Sequence, residues 1–141
     1  MNKKGFTLIE LLIVVAIIGL LSTLAVVSLG SARVKARDSK RLADLKQIQT
    51  ALELFYTDQN TYPTGSGLTL GGTSAACLNA TGFTTAGCTS AYMGAVPADP
   101  KSPGTYSYTA ASSSYSIVAA LEGTVNGLTE GITLSPAGIA D

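Results

Sequence analysis

The sequence predicts an α+β protein: one long helix in the N-terminal half, packed in its later part on a small C-terminal antiparallel sheet. Three observations carry that reading. Residues 6–29 are apolar apart from a single charge, Glu10. Residues 32–58 contain no proline or glycine and repeat Leu45, Ile48, Leu52 and Phe55 at three- and four-residue steps, joined by Leu42 and Ala51. Residues 105–134 alternate apolar and polar positions, with turn signals between the runs.

The first element is long enough to span a membrane. At about 1.5 Å per residue, residues 6–29 make roughly 36 Å of helix, against a hydrocarbon core of about 30 Å. A basic leader, Met1-Asn2-Lys3-Lys4-Gly5, precedes it. Glu10 lies about one turn into the helix, where a carboxylate is costly unless a positive group meets it. The apolar stripe on residues 42–55 predicts that the helix continues beyond the membrane to about Asp58 and offers one face to the rest of the chain. Asn60-Thr61-Tyr62-Pro63 should end it, because proline drives its predecessor out of helical geometry.

Residues 61–104 are dense in Gly, Thr, Ser and Pro and read as a long loop. Strands are expected at 105–110, with Tyr106 and Tyr108 on one face, and at 114–121, with Tyr115, Ile117 and Leu121 on one face. Ser112 and Ser113 turn between them. Asn126-Gly127, between Val125 and Leu128, signals a type I′ turn, and Ile132 with Leu134 marks a last strand. Three or four strands on the helix stripe bury one modest core. The expected division is a leader at 1–5, a membrane and assembly helix at 6–29, its amphipathic continuation at 30–59, and a β-rich domain at 60–141.

Composition excludes several functions. Nine Lys and Arg balance nine Asp and Glu, which argues against a general nucleic-acid binder. The charge is polarised along the chain: residues 33–41 hold Arg33, Lys35, Arg37, Lys40 and Arg41 with only Asp38, whereas Lys46 and Lys101 are the only later cations. Those cations read either as solvated and lipid-headgroup contacts or as partners for acids of neighbouring subunits. There is no histidine, no nucleophile-and-base arrangement, no carboxylate pair and no phosphate loop, so an enzyme is not expected and no cofactor is implied. Two cysteines without histidine leave zinc short of ligands.

The run Lys4-Gly5-Phe6-Thr7-Leu8-Ile9-Glu10-Leu11-Leu12-Ile13-Val14-Val15-Ala16-Ile17-Ile18-Gly19 resembles the N-terminus of type IV pilins and of type II secretion pseudopilins. Close similarity covers residues 1–60. Beyond it only a Tyr-Pro-Thr after the helix and a Val-Pro-Ala-Asp-Pro before Tyr-rich strands follow the family pattern. The resemblance implies a pilin fold and cleavage by a prepilin peptidase between Gly5 and Phe6, with N-methylation of Phe6. It assigns Glu10 to subunit assembly, meeting the N-terminal amine of a neighbour. It also implies a homo-oligomeric helical filament, an inner-membrane assembly platform and assembly ATPase as partners, a leader facing the cytoplasm and an exported C-terminal domain. Counting cations on the two sides of the apolar run gives the opposite orientation. In an exported domain, Cys77 and Cys88 are expected to form a disulfide, contributing roughly 3 kcal/mol by chain entropy. Many family members carry a proline about seventeen residues after the glutamate, where this chain has Val27. Some pseudopilins bind calcium in loops near their C-terminal strands, but Glu122, Glu130 and Asp141 are too widely spaced to assign such a site.

Elementary electrostatics supports the role of Glu10 independently. An ion pair in a low dielectric is worth far more than one in water, and an unpaired charge there is costly, so such a pair would enforce register between subunits. A competing reading takes the same segment as an ordinary secretory signal cut near Gly30-Ser31-Ala32, releasing a soluble binding module that begins at Arg33. The apolar run exceeds the usual 7 to 15 residues of such signals. The reading adopted from sequence is a subunit of a type IV pilus-like surface filament, favoured by the disulfide, the Ser/Thr-rich domain and the lack of an acidic C-terminal cluster. The alternative is a pseudopilin of a type II secretion system.

Overall fold

The computed structural model describes residues 5–85 and 87–141; Lys3 and Lys4 of the leader lie outside the described residues. The chain divides between Val34 and Lys35 into two compact units. The helix α1 (Leu8–Gln59) crosses that division.

In the first unit, α1 is continuous through Gly19 and Gly30. It is long and apolar enough to cross a membrane by length and composition. Its side chains find no protein neighbours to bury them, Phe6 being 85% and Val27 75% exposed. Two of its hydroxyls are satisfied by the helix itself, Ser22 Oγ donating to the Ile18 carbonyl at 2.7 Å and Thr23 Oγ1 to that of Leu20 at 2.8 Å. That self-sufficiency is what a hydrocarbon solvent demands.

In the second unit, the predicted stripe is the buried face of α1: Leu45, Ile48, Ala51, Leu52 and Phe55 are all buried. They pack on a five-stranded antiparallel sheet of order β1-β4-β5-β6-β7, formed by β1 (Gly65–Leu70), β4 (Tyr106–Ala111), β5 (Ser114–Ala120), β6 (Gly131–Ser135) and β7 (Gly138–Ala140). A separate two-stranded hairpin pairs β2 (Cys77–Asn79) with β3 (Gly82–Thr84). Register aligns Tyr108 with Ile117 and Ile117 with Leu134, a row of fully buried side chains across three strands. Each such aliphatic burial contributes on the order of 1.5–3 kcal/mol. Two of the buried tyrosines have partnered hydroxyls, Tyr106 donating to Asp44 Oδ2 at 3.1 Å and Tyr108 to the Pro63 carbonyl at 2.6 Å.

Several details depart from expectation. The helix stops at Asn60, which takes φ 55° and donates its N–H to the Tyr56 carbonyl at 2.8 Å, so a left-handed cap ends it three residues before Pro63. The expected long loop at 61–104 contains β1, β2 and β3. Strand β1 has the sequence Gly-Ser-Gly-Leu-Thr-Leu, poor in strand formers, and forms by pairing with β4. A bulge lies between Gly65 and Leu68, where Gly67 adopts φ 63° and donates to Thr109 Oγ1 at 3.0 Å. With β7 also added, the sheet has five strands against the expected three or four. Gly71 closes the end of β1: a Cβ there would sit 2.6 Å from the Ala98 backbone. The Asn126-Gly127 turn forms as predicted, with φ 53° and 82° and reciprocal 3.0 Å bonds between Val125 and Leu128.

Cys77 and Cys88 form a disulfide with Cα atoms 6.2 Å apart. It ties β2 to the segment following β3 and leaves no free cysteine among the described residues.

Candidate functional site

The N-terminal unit concentrates its polarity at the first turn of α1. Thr7 is the N-cap, and Glu10 sits three residues later. Glu10 Oε2 accepts the Thr7 N–H at 2.8 Å and the Thr7 hydroxyl at 2.6 Å, while the Glu10 N–H donates to Thr7 Oγ1 at 3.3 Å. This reciprocal capping box satisfies donors that the helix start leaves free. It gives Glu10 dipoles and no counter-charge: among the described residues no ion pair includes it. Gly5 and Phe6 precede the box and are exposed. The sequence motif brings Gly5, Phe6 and Glu10 together at one helix end; Thr7, two residues after Gly5, was not singled out by sequence reasoning, although the Thr-x-x-Glu spacing signals the box.

The second unit gathers charge where α1 meets two loops. Arg41, only 2% exposed, makes a bidentate pair with Asp99, Nε to Oδ2 and Nη2 to Oδ1, both at 2.8 Å. Its Nη1 donates to Asp38 Oδ1 at 2.7 Å and to Glu122 Oε1 at 2.9 Å. Arg37 makes a second bidentate pair, Nε to Glu122 Oε1 at 2.6 Å and Nη2 to Oε2 at 2.7 Å; Lys101 Nζ meets the same Oε2 at 2.7 Å. Asp38, fully buried, also accepts the backbone N–H groups of Glu122 and Gly123, each at 3.0 Å. Asp99 is held by its own loop through the Lys101 N–H at 2.8 Å. Three cations thus face three carboxylates, and every carboxylate is multiply bonded.

Electrostatics follows from the contacts. The bidentate Arg37 pair, then Lys101 and Arg41, hold the Glu122 carboxyl well below the usual carboxylate range, against a smaller opposing effect of burial. Arg41 likewise lowers the Asp99 carboxyl. Burial first, and then Asp44, push the Tyr106 phenol up.

This cluster answers the question left open over residues 33–41. Arg41 is buried and Arg37 half-buried, and both pair with acids of their own chain. Lys40 pairs with Asp44 at 3.1 Å. Arg33 and Lys35 remain exposed and without an ion pair among the described residues. Sequence reasoning had met Asp99 only as part of Val-Pro-Ala-Asp-Pro and had set Glu122 aside. Among the described residues no group of three His, Cys, Asp or Glu side chains could hold a metal ion.

An apolar helix capped by a Thr–Glu box, whose continuation packs on an antiparallel sheet, defines a structural subunit of the pilin class. The family described as prokaryotic N-terminal methylation motif matches residues 1–26, and the family described as type II secretion system, protein G, matches residues 28–127. The chain belongs to the type II secretion system protein G family, whose relatives are structural subunits and not enzymes. It is 37% identical over 63 residues to a type II secretion system core protein G of Aeromonas hydrophila, a stretch covering 45% of this chain and 44% of that one. It is 36% identical over 63 residues to the protein of the same name from Escherichia coli K12, covering 45% and 43%. A type IV major pilin, PilA of Myxococcus xanthus, is 39% identical over 61 residues, covering 43% of this chain and 28% of the pilin. The chain spans less than half the length of these curated relatives. No solved structure gives a significant match.

Proposed function

We propose that the protein is a pseudopilin, the repeating subunit of a short helical filament in a type II secretion machine. The observation that carries this reading is the protein G match across residues 28–127, because it covers the folded domain and not only the N-terminal motif that pilins and pseudopilins share. It shifts the weight from the surface-pilus reading to the pseudopilin alternative. In this proposal a prepilin peptidase cuts between Gly5 and Phe6 and methylates Phe6. The exposed apolar face of residues 6–29 first lies in the cytoplasmic membrane, with the leader inside and the sheet domain outside. It then leaves lipid for the flanks of neighbouring helices as an inner-membrane platform and its ATPase add subunits. Thr7 holds the Glu10 carboxylate at the helix start, and the amine of an incoming or preceding Phe6 supplies the charge that the box lacks.

Intact-mass measurement with N-terminal sequencing tests both parts. The expected species is a methylated chain beginning at Phe6, abundant in the membrane and envelope fraction and scarce in filaments sheared from the surface. Its abundance in sheared filaments would instead support the second reading, a surface pilus, which the similarity to the Myxococcus major pilin favours. A mature chain beginning at Arg33 would remove both.

A further inference from the structure

Some pseudopilins place calcium in the loops near their last strands, which makes the β5–β6 connection of this chain, residues 121–130, the place to test for a fit. Its neck is closed by the Leu121 N–H donating to the Glu130 carbonyl at 2.7 Å, and its tip by the Val125–Leu128 turn. The acids available are Glu122, Glu130 and Asp141. Both oxygens of Glu122 are occupied by Arg37, Arg41 and Lys101. The Asp141 carboxylate is turned to Thr129, accepting its N–H at 3.0 Å and its hydroxyl at 3.2 Å. Calcium needs six to eight oxygens converging on one point. These donors do not converge, and a divalent cation would enter a cluster whose three acids are already neutralised by three cations.

We infer that in this chain Arg37, Arg41 and Lys101 do the work of that metal, locking the β5–β6 connection to α1 through Glu122 and Asp38, so that the domain reaches full stability with no divalent ion. The geometry favours a lock over a loose surface contact. Asp38 binds the backbone of the connection itself through two N–H groups, and Arg41 ties Asp38, Glu122 and Asp99 into one unit. Asp38, Arg41 and Asp99 are buried, and mutually hydrogen-bonded charges so placed are screened little by solvent.

The test uses the full-length protein in detergent micelles, melted in EGTA and in millimolar calcium, with near-ultraviolet circular dichroism reading the buried tyrosines. The wild-type midpoint should move by less than about 1 °C between the two, whereas a metal held a hundredfold above its dissociation constant would raise it by roughly 10 °C. Glu122→Gln keeps the shape of the side chain and removes its charge; its midpoint should fall by several degrees in EGTA and equally in calcium. An upward shift of several degrees for the wild type in calcium would overturn the inference. So would a Glu122→Gln defect seen in calcium and absent in EGTA. Neither readout depends on which machine the subunit serves.

Discussion

The two units of this chain handle the same problem, a charge in a poor solvent, in opposite ways. In the second, Asp38, Arg41, Asp99 and Glu122 meet charge with charge inside one chain. In the first, Glu10 receives a hydroxyl and an N–H from Thr7 and no counter-charge from any described residue. Dipoles lower the cost of burying a carboxylate, but a full opposite charge in low dielectric lowers it much further. The difference separates charges that hold the folded domain together from a carboxylate that the described residues leave without a counter-charge.

The largest expected effect breaks the first half of that comparison. Glu10→Gln preserves the shape of the capping box and removes the charge. If the carboxylate serves assembly, filament yield should fall by more than about a hundredfold, the scale of losing one well-buried ion pair, about 3–5 kcal/mol. Membrane insertion and the melting of the sheet domain should be unchanged. Wild-type filament yield from this variant would show that the box alone accounts for Glu10.

Next in size is Arg41→Met, which attacks the second half. It leaves Asp38 and Asp99 in place with their main counter-charge gone, a change that costs on the order of 3–5 kcal/mol in buried sites. The expected result is a large fall in the melting midpoint of the domain. Restoring charge with Arg41→Lys should recover it only in part, because an ammonium cannot reproduce the bidentate pair with Asp99. Equal stability of Met and wild type would mean that the cluster contributes nothing net.

These expectations also mark where sequence stopped being informative. The stripe Leu45, Ile48, Leu52, Phe55 and the alternation of Tyr106, Tyr108, Tyr115 and Ile117 were legible because burial imposes a local period on a regular element. The Asn126-Gly127 turn was legible because two consecutive positive φ angles demand those residues. Gly5, Phe6 and Glu10 stand as candidates because they lie together in one short motif. Asp99 and Glu122 were not. They meet Arg41 across separations of 58 and 81 residues, and only the completed sheet brings them there. Strand β1 was hidden for the same reason, its glycines being tolerated by pairing with β4 and not by any propensity of their own.

A pH series sharpens the second half with a smaller effect. The folded-state carboxyls of Glu122 and Asp99 are depressed by their cationic partners. A depressed carboxyl stabilises the fold fully above its unfolded value, about 4, and that stability is lost as pH falls through the lower folded value. The chain has no histidine to titrate nearer neutrality. The melting midpoint should therefore stay flat from about pH 7 to about pH 5 and decline only below about pH 4. A decline already present between pH 7 and 6 would require some other group to hold the domain together.

The smallest effect probes how completely the second unit satisfies its own polar groups. Among its buried side-chain atoms in the described residues, the Tyr115 hydroxyl is the one without a hydrogen-bond partner, although the ring packs edge-on against Tyr62 at 4.7 Å between centroids. Burial alone is the first cause pushing that phenol upward. A buried hydroxyl that makes no bond keeps its desolvation cost and returns nothing, so removing it should be neutral or slightly favourable. Tyr115→Phe keeps the ring and its contacts; its unfolding free energy should stay within about 0.5 kcal/mol of wild type or rise slightly. A loss above about 1 kcal/mol would mean that the hydroxyl has a partner in solution, with Gln49 and Glu53 on the facing helix as the nearest candidates. The domain would then close its polar groups more completely still, and the contrast with Glu10 would widen.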